Sequence, residues 1–338
     1  MNKYIALSLL GICIPSAYAN AQDKMPEDHG SYLTLSVEND KFGNGTDHFY
    51  TSGVRATWFN DKTKAPDIAY KIAEQIPTFK VNKRTGTYYA IGQNLYTPDD
   101  IKIAYQPQDD RPWAAFLYGT IGLINLTDNG KNPMHIDEVE LTLGVVGSPA
   151  LGKPIQRFIH SHITDSPDPK GWDNQLDFEP GFTLSWQRRI PAAIMYETNL
   201  FNARIEPHIS ATIGNIRTHA GIGATAVLGS SKFQDTPQRV APSIPGTGVF
   251  LEREDKINWQ IFAGVEGRLV GRDIFLDGNT FSNSHSVDKN NLVGDLSAGA
   301  ALSYGDYRLS YTLNYRTKEF RTQNDESIFG SLTLSKRF

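Results

Sequence analysis

The stretch Y-R-L-S-Y-T-L-N-Y-R, residues Tyr307 to Arg316, decides the fold. Tyr307, Leu309, Tyr311, Leu313 and Tyr315 alternate with Arg308, Ser310, Thr312, Asn314 and Arg316. Successive side chains on a strand point to opposite faces, so every large apolar group here shares one face and every polar group the other. A sheet that is oily outside and polar inside suits a closed barrel in a membrane, where no edge strand can stay unpaired. The next stretch, Ser327 to Phe338, reads S-I-F-G-S-L-T-L-S-K-R-F and closes the chain as a second strand with a terminal aromatic.

The rest of the chain agrees. Its mean hydropathy is −0.39, and it holds no apolar run long enough for a membrane helix. A membrane protein of that hydropathy is expected to be a barrel. Lys3, the apolar stretch Ile5 to Ile14 and Ala17-Tyr18-Ala19 form a signal-peptide pattern over residues 1–21. The only cysteine, Cys13, lies inside it, so disulfides, thiolate chemistry and cysteine zinc sites are excluded from the mature chain. A net charge of −4 gives no sign of nucleic-acid binding. No linker or repeat divides residues 22–338, which are expected to form one barrel domain.

Roughly twelve strand-like segments follow one another, beginning near Ser31, Ser52, Gly86, Trp113, Ile136, Asp177, Ala203, Arg217, Ile257, Leu292, Asp306 and Ser327. The expected fold is therefore an all-β transmembrane antiparallel barrel. Two stretches have helical spacing. Residues 65–76 place Ile68, Ile72 and Ile76 on one stripe. Residues 149–164 place Ile155, Ile159 and Ile163 on one stripe, and Gln156 and His160 on another. Residues 230–256, rich in proline, serine and glycine, read as a long loop. Connections alternate between the two ends of a barrel. Those after strands one, three and five share an end, which is the cell exterior if the termini are periplasmic.

These three connections hold the densest polar constellations. Val37 to Gly53 (V-E-N-D-K-F-G-N-G-T-D-H-F-Y-T-S-G) offers Asn39, Asp40, Asp47, Thr51 and Ser52 as oxygen donors around glycines; the composition by itself favours a polar hairpin turn over a site for a hard cation such as calcium, and the spacing is not that of an EF-hand. Gln93 to Lys102 and Asp109 to Trp113 supply Lys102 and Arg111, cations for a phosphate or carboxylate or solvated charges at the headgroup layer. Of eight histidines, His160 alone sits at helical spacing from an amide side chain in a connection on this end, where it suits general-base work.

The segments V-E-N-D, T-D-H-F-Y-T-S-G, N-L-Y-T-P, Q-R-F-I-H and G-W-D-N-Q-L-D-F-E-P occur in an order and spacing that resembles the outer-membrane lipid A 3′-O-deacylases, over nearly the whole mature chain. A terminal phenylalanine is likewise similar to what bacterial outer-membrane barrels carry. The resemblance implies a twelve-stranded barrel in the outer membrane and a calcium-dependent hydrolase. That hydrolase removes the 3′-linked acyloxyacyl group from lipid A of lipopolysaccharide. It implies roles for Asn39, Thr51, Gln156 and His160 in catalysis and for Asp40 in holding Ca2+. Lys102 is the nearest match to the family's basic residue, one position displaced, and Asp165 the nearest to an acidic one.

In the mechanism so implied, His160 deprotonates a water that attacks the ester, without a covalent intermediate. No G-x-S-x-G elbow supports a serine nucleophile. Strand phase adds one expectation: Leu33, Leu35 and Val37 share the lipid face, which carries Asn39 outward, so the site straddles the wall and meets lipid from the side. The alternatives are an outer-membrane phospholipase and a non-enzymatic barrel, either pore or adhesin, because fold does not fix function.

Overall fold

A computed structural model describes residues 30–43, 49–60, 63–76, 78–82, 85–127, 135–164, 166–230, 239–240, 242 and 254–338. The expected signal peptide and the candidates Asp47 and Asp165 lie outside the described residues. Thirteen strands follow in order: β1 (Ser31–Asn39), β2 (Phe49–Asn60), β3 (Thr85–Thr97), β4 (Ala114–Thr127), β5 (His135–Val146), β6 (Glu179–Arg189) and β7 (Ile194–Glu197). They continue with β8 (Asn202–Gly214), β9 (Arg217–Gly229), β10 (Glu254–Asp273), β11 (Leu292–Gly305), β12 (Tyr307–Arg316) and β13 (Ser327–Arg337).

All pairings are antiparallel, and β13 returns to β1 in a register running from Tyr32↔Arg337 to Asn39↔Gly330. The far seam closes where β8 pairs with β6 from Thr183↔Gly214 to Arg189↔His208, then with β7 at Ile194↔Ile205. β6 and β7 thus share one position, and the wall has twelve, as expected. Closure leaves no open edge, which a bilayer demands. β7 is four residues long, too short for alternation to reveal it.

Alternation is kept residue by residue. In β12 the polar members Arg308, Ser310, Thr312, Asn314 and Arg316 are buried while Tyr307, Leu309, Tyr311 and Leu313 are exposed on the outer face. β1 does the same, with Tyr32, Thr34, Ser36 and Glu38 inward and Leu33 and Leu35 outward. Hydroxyl pairs rung the inside of the β1–β13 seam, Thr34 with Ser335 at 2.9 Å and Ser36 with Thr333 at 3.1 Å. At the chain end, Phe338 still donates its N–H to Ser31 O at 2.9 Å, and its ring lies 5.7 Å from Trp58. Amphipathic rings of this kind settle at a bilayer surface.

The interior is filled. Arg268, Arg316 and Arg239 converge on Asp295, and Arg55 pairs with Glu140 at 2.7 Å, Arg189 with Glu138 at 3.0 Å, Arg204 with Glu206 at 2.6 Å. Arg239 belongs to the expected long loop between β9 and β10, so this connection reaches into the lumen from the end that holds the termini. The cavity beside these charges is only about 70 Å³. A pore needs a wide lumen; this barrel has a packed one.

Above it, Tyr50, Tyr96, Phe116, Phe275 and Phe329 form an apolar plug at the opposite, loop-bearing end. Phe275 comes from α3 (Ile274–Asp277) and stacks on Tyr96 at 4.1 Å.

Two connections drape over the outside of the wall. Near the termini, α1 (Asp67–Ala73) falls inside the expected 65–76 helix, and Ala65, Ala73 and Phe79 pack on Leu123 and Val139 of the outer face. Ile68 points away and is exposed. At the loop end, a turn at Ser148–Ala150 leads into α2 (Gly152–Ile159), which runs on as a wider π turn through Thr164. Together these cover the helix expected at 149–164. Ala150 and Trp172 pack on Leu95 and Ala115, residues on the outward phase of β3 and β4.

Candidate active site on the outer wall

Strand phase carries Asn39 outward at the top of β1, and there the strand stops. Asn39 caps a 3-10 turn at Asp40–Phe42, its Oδ1 accepting the Lys41 N–H at 2.9 Å. That N–H is shared with the Asp40 carboxylate, also at 2.9 Å. Asn39 Nδ2 donates to Thr51 O at 2.9 Å, tying β1 to β2. Asparagine suits both jobs because one amide end accepts while the other donates.

Thr51 sits at a β-bulge. Tyr50 pairs with Tyr96 and Ser52 with Leu95, so Thr51 is the extra residue. A bulge re-aims a side chain, and Thr51 Oγ1 meets Thr97 Oγ1 at 2.7 Å. Both threonines are buried although Thr97 follows the outward phase of β3.

The chain enters α2 at Leu151, which adopts a left-handed conformation (φ 59°) that turns it from the 3-10 turn into the helix. The stripe pressed to the wall is Gly152, Gln156 and His160, four apart, while Arg157 and Phe158 are exposed. A helix burying glutamine and histidine and exposing phenylalanine is inverted for water but not for a lipid surround. Glycine at 152 is required by contact: an added Cβ would collide with the Trp172 ring and come within 2.7 Å of Ala115 Cβ.

Gln156 and His160 are both oriented. Trp172 Nε1–H donates to Gln156 Oε1 at 2.6 Å. The indole only donates, which fixes the amide with its nitrogen on the other side. Gln156 Nε2 is buried without a hydrogen-bond partner among the described residues. A buried donor left so is costly, and an oxygen seated beside it would relieve the cost. His160, 4% exposed, faces Pro167 O with Nδ1 at 2.7 Å. A carbonyl oxygen only accepts, so Nδ1 carries the proton of the neutral ring and Nε2 is its basic nitrogen.

Contacts between the two loops bring these groups to one locality. Lys41 Nζ hydrogen-bonds Ser166 Oγ, and Ser166 N–H donates to His160 O at 3.2 Å. Gln93 Nε2 on the outer face of β3 donates to Ala150 O at 2.6 Å. Trp113 and Trp172 pack at 5.2 Å beneath them. These contacts join the segments of Asn39, Asp40 and Thr51 to the connection that carries Gln156 and His160, on the outer flank of β1–β3.

The two candidate cations part company. Ile101 is packed in the outer cluster and its carbonyl accepts from Lys170 N–H at 2.9 Å, so Lys102 stands exposed at the edge of this platform. Arg111 is not brought to the group. It is fully buried, 3.4 Å from Glu319 and 4.9 Å above the Tyr96 ring of the inner plug. Burial works to raise the Glu319 carboxyl, but Arg316 and Arg111 beside it hold it below the usual range.

Sequence reasoning did not single out Thr97 and Trp172, which meet Thr51 and Gln156, although both lie in segments it quoted, N-L-Y-T-P and G-W-D-N. The available signal was a polar residue on the outward phase of β3, where a bare lipid-facing strand would be apolar.

The geometry can be set beside known proteins. The chain matches the sequence model of a family described as outer membrane protein LpxR over residues 5–338. No curated protein matches it in sequence. Among solved structures it is similar to LpxR from Salmonella typhimurium, with 23% identity, coverage of 91% of this chain and 100% of that one, and a TM-score of 0.74. The β domain of the Bordetella autotransporter BrkA matches with 10% identity, 91% and 99% coverage and a TM-score of 0.42. The translocator domain of NalP from Neisseria meningitidis matches with 11% identity, 92% and 89% coverage and a TM-score of 0.38.

Proposed function

The chain belongs to the LpxR family of outer membrane proteins, and from that premise we propose that it is a lipid A 3′-O-deacylase. It hydrolyses the ester of the 3′-acyloxyacyl chain in the outer leaflet and uses calcium. The observation that carries this reading is the buried Nε2 donor of Gln156, without a partner among the described residues, one helical turn from an imidazole whose Nδ1–H is anchored on Pro167 O.

The chemistry follows from these groups. His160 Nε2 takes a proton from water, and the resulting hydroxide attacks the ester carbonyl. The negative charge on the carbonyl oxygen is met by the Gln156 amide N–H, a preorganised donor in a site screened from water. Collapse releases the fatty acid, and the proton returns from the imidazolium to the sugar oxygen. No covalent enzyme intermediate is needed. Lys102, exposed at the rim, is placed to meet an anionic group of the lipid headgroup.

The donor set suits calcium. Asp40 gives one buried carboxylate, and Asn39 and Thr51 give neutral oxygens, with no soft ligand among them. No group of three or more His, Cys, Asp or Glu side chains fit to hold a metal occurs among the described residues. The shell would therefore rely on carbonyl, hydroxyl and water oxygens around Asp40. A bound calcium ion supplies a Lewis acid for the ester carbonyl.

Mass spectrometry of lipid A incubated with the refolded barrel, with calcium or with chelator, tests the proposal. The expected product lacks one 3′-acyloxyacyl unit, forms only with calcium, and falls roughly 10²–10⁴-fold with His160→Ala in a barrel that still shows heat-modifiable migration. Unaltered lipid A, or fatty acid released from phospholipid instead, overturns it.

A further inference from the structure

The two strands that carry Asn39 and Thr51 are also clasped on the inner side of the wall. Glu38 precedes Asn39 and faces the lumen, 0% exposed. Its Oε2 accepts the Tyr50 hydroxyl at 2.8 Å, and its Oε1 accepts the Val240 N–H at 2.7 Å. Tyr50 in turn precedes Thr51. Gly53 completes the arrangement: an added Cβ would collide with the Tyr50 hydroxyl and sit 3.1 Å from both Tyr50 Cζ and Val240 Cγ1. The E-N-D and Y-T-S-G segments are therefore joined twice, by Asn39 to Thr51 outside and by Glu38 to Tyr50 inside.

We propose that Glu38 and Tyr50, backed by Val240 from the connection that enters the lumen, are positioning residues for the reaction on the other side of the wall. Neither touches substrate. The bulge at Thr51 lies between two register points, Tyr50↔Tyr96 and Ser52↔Leu95, and a bulge has no ladder bond of its own to fix its aim. The Tyr50 ring supplies the fixing. It is wedged against Tyr96 at 5.5 Å and Phe329 at 5.0 Å, and its hydroxyl is pinned by Glu38. The strand stop at Asn39 is held in the same way, through the side chain of its neighbour. Because Val240 donates its backbone amide to the same carboxylate, the lumen segment is part of the device.

This inference rests on the proposed deacylase reading, so its test carries one readout that needs no activity. Tyr50→Phe is compared with Tyr88→Phe, a second buried lumen tyrosine that donates to a glutamate, Glu140, at 3.0 Å, away from Asn39 and Thr51. Hydrogen exchange of the Lys41–Gly43 peptide is read first, since the Lys41 N–H is held by Asn39 and Asp40. Tyr50→Phe is expected to speed that exchange and lower kcat roughly ten- to a hundredfold with KM within about twofold. Tyr88→Phe changes neither.

Gly53→Ala is expected to reproduce the Tyr50→Phe loss. Adding Tyr50→Phe to it costs nothing more, because the colliding hydroxyl is then gone. Should Tyr50→Phe fail to fold, Glu38→Gln, which keeps one acceptor oxygen, takes its place with the same expectations. Equal exchange and equal kcat in the Tyr50 and Tyr88 variants overturn the inference. A wild type inert on lipid A sinks the deacylase reading alone, and the exchange comparison still decides the clasp.

Discussion

Gln156 depends on a single neighbour for its orientation. Trp172 Nε1 holds Oε1 at 2.6 Å and so leaves Nε2 as the end that the proposed mechanism uses as a donor. An amide without that restraint is free to present either end. Trp172→Phe removes the donor, worth about 1 kcal/mol net, together with part of the ring volume that packs on Gly152. The expected result is a roughly five- to tenfold fall in kcat in steady-state deacylation assays, with the barrel's melting behaviour unchanged. At this scale much of the site was legible. Gln156 and His160 stand four apart in a segment whose spacing is helical whatever surrounds it, and Asn39 falls on the outer phase by counting from Leu33. Trp172 and Thr97 were not legible as functional. Their roles come from packing between elements far apart in sequence, Trp172 on α2 and Thr97 on the bulge of β2. Arg111 was misleading for the same reason. Its charge suggested a ligand, and only the fold shows that Glu319 and Tyr96 already enclose it.

At the level of elements, the two helices differ in what they press to the wall. α2 presses Gly152, Gln156 and His160 to it and exposes Phe158, whereas α1 buries Ala73 and packs Ala69 and Tyr70 on the outer face while leaving Ile68 outward. Helical periodicity located both helices, yet the isoleucine stripes named the packed face only in part: Ile76 packs on the outer-face cluster, Ile68 is exposed, and the buried stripe of α2 is Gly152, Gln156 and His160. Reading an apolar stripe as the buried one assumes water outside. Next to a bilayer an outward isoleucine or phenylalanine is at no disadvantage, so packing room decides instead. Small residues face the wall because the wall is close. Gly152→Val makes this testable: its branched side chain meets the Trp172 ring and Ala115, and overpacking of this sort costs roughly 1–3 kcal/mol. The helix should lift while the strands remain. Loss of deacylation together with faster proteolysis between β5 and β6, in a barrel with normal heat-modifiable migration, is the expected outcome. Unchanged activity would mean that α2 needs no close seat on the wall.

For the molecule as a whole, stability and chemistry are separated across the wall. The outer flank holds the candidate site, whereas the lumen holds a lattice of buried ion pairs that no substrate is asked to enter. Strand number, parity and the outward phase were readable because period-two alternation is local. The partners inside were not, since each depends on which strands become neighbours around the ring. Asp295 of β11 shows this, gathering Arg268 of β10, Arg316 of β12 and Arg239 of the lumen segment. Removing the shared carboxylate leaves three guanidinium groups close together with Glu266 and Glu319 as remaining counter-charges. Breaking one side of a buried ionic cluster costs about 3–5 kcal/mol. Asp295→Ala is therefore expected to lower the temperature at which the folded, fast-migrating form is lost on heating. Its kcat, measured below that temperature, should fall less than that of Tyr50→Phe, because Asp295 reaches the β1–β2 clasp only indirectly, through Arg239, the neighbour of Val240. A variant with unaltered thermal transition would show that the lumen lattice does not hold the barrel together. One that is equally stable but inactive would place Asp295 in the machinery of the site, against the separation drawn here.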